Sequence, residues 1–192
     1  MTQRLKTRLA VLILCLLLIV VGASIRTCCI QYRRQELNDA LISAIQRDDA
    51  SAVAILLARG ANANARDSES HRISLVDYCE QIVGLRHQTP NSERTALMDA
   101  SYGRNVIIVK MLLAAGAHVN ATDQDGNTPL LYSTYNRTGH PGPTILTLAE
   151  HGAGIDTTTK SGREAWLIAR GNSELWDALH KAADFQRVKD GE

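Results

Sequence analysis

A small set of reactive side chains lies between residues 68 and 91, where a covalent catalyst could be assembled. Cys79 lies in a polar segment that also contains His71, Asp77, Glu80 and His87. A thiol activated by an imidazole, with a carboxylate to orient the base, is the usual arrangement of an enzymatic nucleophile. No spaced motif joins these residues, and polar loops of this size collect such sets by chance. An enzyme with its site in this segment is therefore an alternative, and we favour a non-catalytic protein.

The sequence motifs for metal binding and nucleotide binding are weaker than the set around Cys79. The stretch Asp123–Asn127 begins like a calcium-binding loop, but Thr134 stands where the bidentate glutamate of such a loop is required. The six histidines include no pair at HxxxH spacing and accompany no C-x-x-C motif. The sequence contains neither G-x-S-x-G nor G-x-x-x-x-G-K. We predict no catalytic residue, no metal, no cofactor and no small-molecule substrate.

Charge is distributed unevenly along the chain. The segment 1–34 holds six basic and no acidic side chains, whereas the segment 35–192 holds fifteen basic and twenty acidic ones. A mildly acidic body argues against nucleic acid as the main partner. The four cysteines are too few, and too unevenly placed, for a disulfide framework.

The N-terminal segment has the composition of a membrane helix. The run from Leu9 to Ile25 contains no charged residue and is closed by Arg8 and Arg26. As a helix it would be about 25 Å long, slightly shorter than a hydrocarbon core of about 30 Å. The basic flanks could reach the headgroups on both sides. We predict a single transmembrane helix at Leu9–Ile25, preceded by a basic tail at 1–8.

The same run could instead be a signal peptide, with Val21-Gly22-Ala23 as a possible cleavage site. The length of the run and the closely following Arg26 favour an uncleaved signal anchor. Basic residues on the two sides nearly balance. The absence of acids from the first residues favours a cytoplasmic N-terminus. The rest of the chain would then lie on the exocytoplasmic side, which is the periplasm in a double-membraned bacterium.

Residues 95–120 contain two apolar patterns of helical period that end in a glycine. The first pattern includes Leu97 and Ala100, and the second includes Ile108, Val109, Leu112 and Leu113. Gly116 can adopt the positive φ that ends a helix. The pattern that begins at Thr95 restarts at Thr128. A fixed period of helix, turn and helix is typical of a solenoid.

These residues resemble the ankyrin repeat, with its T-P-L-H-x-A, L-L-x-x-G-A-x-x-N and D-x-x-G elements. Residues in register are Thr95, Leu97, Ala100, Leu112, Leu113, Gly116, Ala117, Asn120, Asp123 and Gly126. Ala96 and Met98 depart from the proline and histidine of the pattern. The resemblance implies structural roles for three polar residues: Thr128 would cap its helix, and Asn64 and Asn120 would bind hairpin backbone.

Three further copies accompany this one. The first begins near Leu37, with Asp39 as its helix start, and ends in Gly60-Ala61-Asn62-Ala63-Asn64-Ala65. The third begins at Asp125-Gly126-Asn127-Thr128-Pro129-Leu130, and the fourth runs from Gly162 to about Phe185 as a C-terminal cap. About 23 additional residues separate the first and second copies, and we predict a short inserted helix at about Leu75 to Val83.

The predicted architecture is therefore all-α, an ankyrin-repeat solenoid of about four helix-turn-helix repeats preceded by one transmembrane helix. Residues 26–36 would form a linker, residues 37–185 the repeat domain with an insertion at about 68–91, and residues 186–192 a tail. The chain looks like the small membrane-anchored or exported ankyrin-repeat proteins of bacteria, some of which act as accessory or immunity partners of an enzyme.

The resemblance implies that the chain binds another protein through the hairpin tips and first helices of its concave face. The anchor would raise the local concentration near a membrane-associated or exported partner. The residues mapped to that face are Asp99, Tyr102, Gln124, Asp125, Asn127, Tyr132 and Tyr135. Tyrosines suit an interface because the ring buries area while the hydroxyl remains hydrogen-bonded. A structural spacer of a membrane complex is a further alternative that the sequence does not separate from this one.

Overall fold

The computed structural model describes residues 3–67, 94–103, 105–135, 140–155 and 159–191. These residues form helices, joined by turns and by a single antiparallel bridge between Arg66 and Thr95. The helices are α1 (Gln3–Gln46), α2 (Ala50–Ala58), α3 (Ala96–Tyr102), α4 (Val106–Ala114), α5 (Pro129–Thr134), α6 (Gly142–Glu150), α7 (Lys160–Ala169) and α8 (Ser173–Asp190). The chain divides into two compact units, Met1–Glu36 and Leu37–Glu192.

The first unit consists of the N-terminal part of α1. The predicted linker at 26–36 is helical, because α1 continues without a break through a stretch that lacks the glycine or proline needed to stop it. Within the described ranges, no helix combines the length and the apolar character that crossing a bilayer requires, and the predicted transmembrane helix at Leu9–Ile25 is not supported.

The second unit is a stack of helix pairs around an aliphatic core. The pairs are the last turns of α1 with α2, then α3 with α4, α5 with α6, and α7 with α8. Fully buried side chains recur once or more per pair, at Leu41, Val53, Leu97, Ile108, Leu112, Leu130, Leu131, Ile145, Leu148 and Leu179. The apolar periodicity therefore predicted the buried faces correctly, and the predicted all-α solenoid of about four pairs is confirmed for this unit.

A threonine begins the first helix of the second, third and fourth pairs. The Oγ1 atoms of Thr95, Thr128 and Thr159 accept hydrogen bonds from main-chain N–H groups three residues later, at 3.3, 3.4 and 3.0 Å. Met98 closes a capping box, since its Sδ accepts from the N–H of Thr95 at 3.3 Å. The first helix of the fourth pair thus begins after Thr159, and Gly162, at which we predicted the fourth copy to begin, lies in its first turn.

The two ends of the stack also differ from the prediction. Asp39 does not begin a helix, because the first helix of the stack is the continuation of α1. At the other end, α8 extends to Asp190 through most of the predicted tail. Gln186 holds this extension in place by donating from its Nε2 to the carbonyl oxygen of Ala153.

Asparagine side chains tie successive hairpins together. Asn64 donates to the carbonyl of Gly116 at 3.0 Å and accepts from the N–H of His118 at 2.7 Å. One repeat later, Asn120 donates to Gly152 at 2.8 Å and accepts from Gly154 at 2.9 Å. Both predicted roles are confirmed, and each amide pairs a main-chain carbonyl and a main-chain N–H just beyond the end of a helix.

The hairpin between the first and second pairs carries the insertion. On its described side, the N–H of Asp67 donates to the carbonyl of Arg94 at 2.7 Å, and that of Ala96 to Ala65 at 2.8 Å. These antiparallel bonds place Arg94 at the start of α3. The predicted inserted helix at about 75–83, and the set around Cys79, lie outside the described residues.

Candidate protein-binding surface

The helix caps determine which side chains share the outer face of the first helices. Asp99 and Tyr132 are each four residues after their capping threonine, and Tyr102 and Tyr135 are each seven residues after it. Residues three apart lie on one helix face. The repeat therefore lines up Asp99 and Tyr102 on α3, and the equivalent Tyr132 on α5 with Tyr135 at its C-cap.

The hairpin tip before α5 is organised around the carboxylate of Asp123. Its Oδ1 accepts from the N–H groups of Asp125 and Asn127 at 3.0 and 2.8 Å. Its Oδ2 accepts from Nδ2 of Asn127 at 2.9 Å and from the hydroxyl of Tyr132 at 2.8 Å. Burial by itself would raise the pKa of Asp123, but these hydrogen bonds to the ionised form prevail and lower it. Asp123 therefore stays charged at neutral pH.

Tyr132 links this tip to the helix face. Burial, and then its hydrogen bond to the charged Asp123, raise the pKa of Tyr132 to about 12, so the hydroxyl remains a donor. The ring of Tyr135 lies edge-on to that of Tyr132, with 6.1 Å between ring centroids and an interplanar angle of 82°. Aromatic rings attract each other in this edge-to-face geometry, so the contact with Tyr132 favours this orientation of the Tyr135 ring.

Arg94 also packs on the ring of Tyr132. Its guanidinium carbon lies 4.8 Å from the ring centroid, and its Nη2 forms an ion pair with Oδ1 of Asp99 at 2.8 Å. The Asp99 side chain is only 7 % exposed, against 34 % for Arg94. Burial raises the pKa of Asp99; the charge of Arg94 opposes this rise and that of Asp67 reinforces it. Asp99 thus forms an intramolecular pair and lies beneath the accessible surface.

The described ion-pair contact between Arg94 and Asp99 runs from Nη2 to Oδ1. Among the described residues, Nε of Arg94 and Oδ2 of Asp99 are buried side-chain atoms without a hydrogen-bond partner. A guanidinium and a carboxylate can form two parallel bonds when they meet edge to edge. Here the guanidinium of Arg94 lies over the ring of Tyr132, and its ion pair with Asp99 is made through Nη2.

The predicted surface residues divide into two groups. Tyr102 and Tyr135 are 53 % and 40 % exposed, and Gln124 and Asp125 at the hairpin tip are exposed as well. The others are wholly or partly enclosed: Asp99 by Arg94, and Asn127 and Tyr132 by their bonds to Asp123. The structure brings together Asp99, Asn127, Tyr132 and Tyr135, whereas no described contact joins Tyr102 to them.

Two residues that connect these surface side chains, Arg94 and Asp123, were not among the binding residues predicted from the sequence. Arg94 directly precedes the cap of α3, and its position next to Tyr132 depends on packing between repeats. Asp123 was assigned to the repeat pattern alone, and its hydrogen bond to Tyr132 was not foreseen. A third residue, Glu164 on α7, acts with Asp123 on Tyr135: burial and then these two charges raise the pKa of Tyr135.

The described residues contain no group of three or more His, Cys, Asp or Glu side chains that could hold a metal ion. At the one stretch with calcium-loop character, both oxygens of Asp123 accept hydrogen bonds from protein donors.

Comparison with known proteins identifies the repeat. The family model for ankyrin repeats in many copies matches residues 84–132. The RelA-associated inhibitor of Mus musculus is 45 % identical over 74 residues, which are 38 % of this chain and 8 % of that protein. The chain thus spans a small part of the length of this relative, and the similarity concerns the repeats. Together with the helix pairs, capping threonines and asparagine bridges described above, these matches support an ankyrin-repeat protein.

Proposed function

We propose that the chain is a non-catalytic module that binds another protein through the tyrosine face, defined as Tyr102, Gln124, Asp125, Asn127, Tyr132 and Tyr135. One observation carries the proposal: exposed Tyr135 lies on a rigid base, in contact with Tyr132, which is itself fixed by Asp123 and Arg94. Preorganised aromatic side chains lose little conformational freedom when they are buried by a partner.

The comparisons support a protein as the class of partner. Ankyrin repeats suggest protein–protein interaction, and the mouse relative is named for its association with RelA. The similarity covers 8 % of that relative, so the partner of this chain is proposed by class alone.

Site-specific photocrosslinking tests the proposal in the source cells. A photoreactive amino acid is placed at Gln124 or Tyr102 of the full chain, and at Asp177 as the matched control. Asp177 is an exposed residue of α8 that is not part of the tyrosine face. The proposal predicts a discrete protein adduct from the first two positions and none from the control. Equal labelling at all three positions, or adducts from the control alone, would exclude the tyrosine face as the interface.

We further propose that the segment Leu9–Ile25 anchors this module to a membrane, with the repeats on the exocytoplasmic side. This part rests on the uncharged character of that run. Alkaline extraction of membranes tests the anchor, and protease digestion of intact cells tests the side. A chain that retains its first residues and is released by alkaline extraction would refute the tether, and N-terminal sequencing would reveal a cleaved signal peptide.

A further inference from the structure

Both tryptophans of the chain meet at the last helix pair. The rings of Trp166 on α7 and Trp176 on α8 contact edge to face, with 5.3 Å between centroids, and the ring of His180 lies 4.8 Å from each of them. Nε1 of Trp166 donates to the carbonyl of Ile155 at 2.9 Å, and Nδ1 of His180 donates to the carbonyl of Trp176 at 2.9 Å. These contacts hold the three rings in one cluster.

In the other three helix pairs, the position that Trp176 occupies is buried. Trp176 is the fourth residue after the N-cap of its helix, and the same position in α2, α4 and α6 holds Val53, Val109 and Ile145, each 0 % exposed. Each of those three helices packs on the second helix of the pair that follows. No pair follows α8 among the described residues, and Trp176 is 38 % exposed. The last pair therefore presents to solvent the kind of face through which the other pairs stack.

Exposed side chains of α7 continue the aromatic cluster. Leu167 is 58 % exposed, and an open depression beside Trp176 is lined by residues 169–173 at the turn between α7 and α8. On α7, the residues at spacings of three and four from Trp166 and Leu167 are arginines, so all four lie on one side of the helix. We define the end surface as Arg163, Trp166, Leu167, Arg170, Trp176 and His180.

The charged residues of the end surface are arginines. Arg163 and Arg170 are exposed, and the positions of α7 and α8 that form the surface include no aspartate or glutamate. Asp184, one turn beyond His180, is paired with Arg187 at 3.8 Å. Such a surface favours a partner that carries carboxylates. It disfavours a second copy of this chain, because two copies would bring their arginines together.

We propose that the end surface binds a helix of a partner protein, which places aliphatic side chains on Trp176 and Leu167 and a carboxylate beside Arg170. The helical form follows from the stack itself, because the corresponding faces of the other pairs are covered by helices. Tryptophan and arginine are among the residue types that most often carry the binding energy of an interface. The end surface shares no residue with the tyrosine face, so it is a second docking site and does not depend on the proposed function.

The fluorescence of the two tryptophans reports on this surface directly, because the chain contains no others. The full chain in a non-ionic detergent is used to select from a random peptide library that has first been depleted on the Leu167→Asp variant. Selected peptides without tryptophan are then titrated into the chain. We expect them to contain aspartate or glutamate together with aliphatic residues at helical spacing. Their binding should shift the emission to shorter wavelength, because it removes Trp176 from water.

Matched variants assign the contact. Leu167→Ser should weaken the selected peptides about five- to fifteenfold, the range expected when about half of a leucine side chain is no longer buried. Arg170→Gln should weaken them about two- to fivefold and reduce the salt dependence of binding, as for an exposed ion pair. Ile107→Ser on α4 removes an aliphatic side chain of similar exposure, 54 %, and should leave the affinity unchanged. Thermal unfolding of each variant checks that the fold is intact, as expected for exposed side chains.

Several results would overturn the inference. Selection of no peptide, selection of peptides without acidic residues, or equal affinity for wild type and Leu167→Ser would each do so. Self-association in analytical ultracentrifugation that Leu167→Ser abolishes would assign the surface to a second copy. An emission maximum that differs between phosphatidylcholine nanodiscs with and without phosphatidylglycerol, and no longer differs in Arg170→Gln, would assign it to the membrane. Either assignment replaces the proposed helix, and none of these results bears on the tyrosine face.

Discussion

Replacing Asp99 by alanine separates the structural role of this residue from the binding role that its place in the repeat predicted. The substitution removes the carboxylate that pairs with Arg94 at 2.8 Å. Breaking a fully buried pair from one side costs about 3–5 kcal/mol. Arg94 is 34 % exposed, so water can replace part of what is lost, and we expect about 1–3 kcal/mol for Asp99→Ala.

The negative charge of Asp99 contributes little to the free-energy cost of Asp99→Ala. Because burial raises the pKa of Asp99, the folded chain binds its proton more tightly than the unfolded chain does. The stability from this group is fully present below its ordinary pKa of 3.8 and is lost as the pH rises through the raised value. Asp99→Asn, which keeps the size and a hydrogen-bond acceptor, should therefore cost less than Asp99→Ala. Its free energy of unfolding should improve relative to wild type as the pH rises through that window.

Urea unfolding of the full chain, followed by circular dichroism, measures both effects. Arg94→Ala and the double variant complete a cycle, and we expect a coupling energy of about 0.5–3 kcal/mol between the two residues. Photocrosslinking at Gln124 is repeated on the same variants as the measure of partner binding. If Asp99→Ala left the free energy of unfolding within about 0.5 kcal/mol of wild type and abolished binding, Asp99 would be a contact residue and our structural assignment would be refuted.

Three further variants test other parts of the account. Asn120→Ala removes two hydrogen bonds between hairpins and should lower the free energy of unfolding by about 1–2 kcal/mol in urea titration, whereas no change would mean that water replaces the bridge. Thr128→Ala removes the cap of α5 and should cost about 0.5–1 kcal/mol, at the low end because the bond is 3.4 Å long; a larger loss would indicate another role for the hydroxyl. Asp123 has a lowered pKa, so its stabilisation is present above pH 3.8 and is lost as the pH falls through the lowered value. The difference in melting temperature between wild type and Asp123→Asn should therefore shrink in acid, and a pH-independent difference would argue against this assignment.

The local features of the repeat could be predicted because each depends on residues close in sequence. The apolar period determines which face of α4 is buried, and a threonine three residues before a main-chain N–H can cap α5. Gly116, with a φ of 86°, ends α4 in a conformation that other residues adopt only with strain. The bridges of Asn64 and Asn120 recur with the repeat, so family resemblance was sufficient to predict them.

The extent of the helices was harder to predict, because their ends depend on weak signals. The stretch 26–36 is polar without containing a residue that stops a helix, and α1 passes through it. At the C-terminus, Gln186 has no local feature that marks it as ordered. Its bond to Ala153 forms only when α8 packs beside the hairpin that follows α6.

The repeat, its caps and the exposed positions of Tyr102 and Tyr135 can be predicted from the amino-acid sequence, because they follow from the helical period and from spacing. Which polar residues contact one another depends on how the repeats pack. Arg94, Asp99, Asp123 and Tyr132 come from different turns and helices, and stacking of the repeats brings them within hydrogen-bonding or ring-contact distance. Local spacing places each helix in register with the next, whereas the burial and ionisation of a side chain depend on its neighbours in the adjacent repeat.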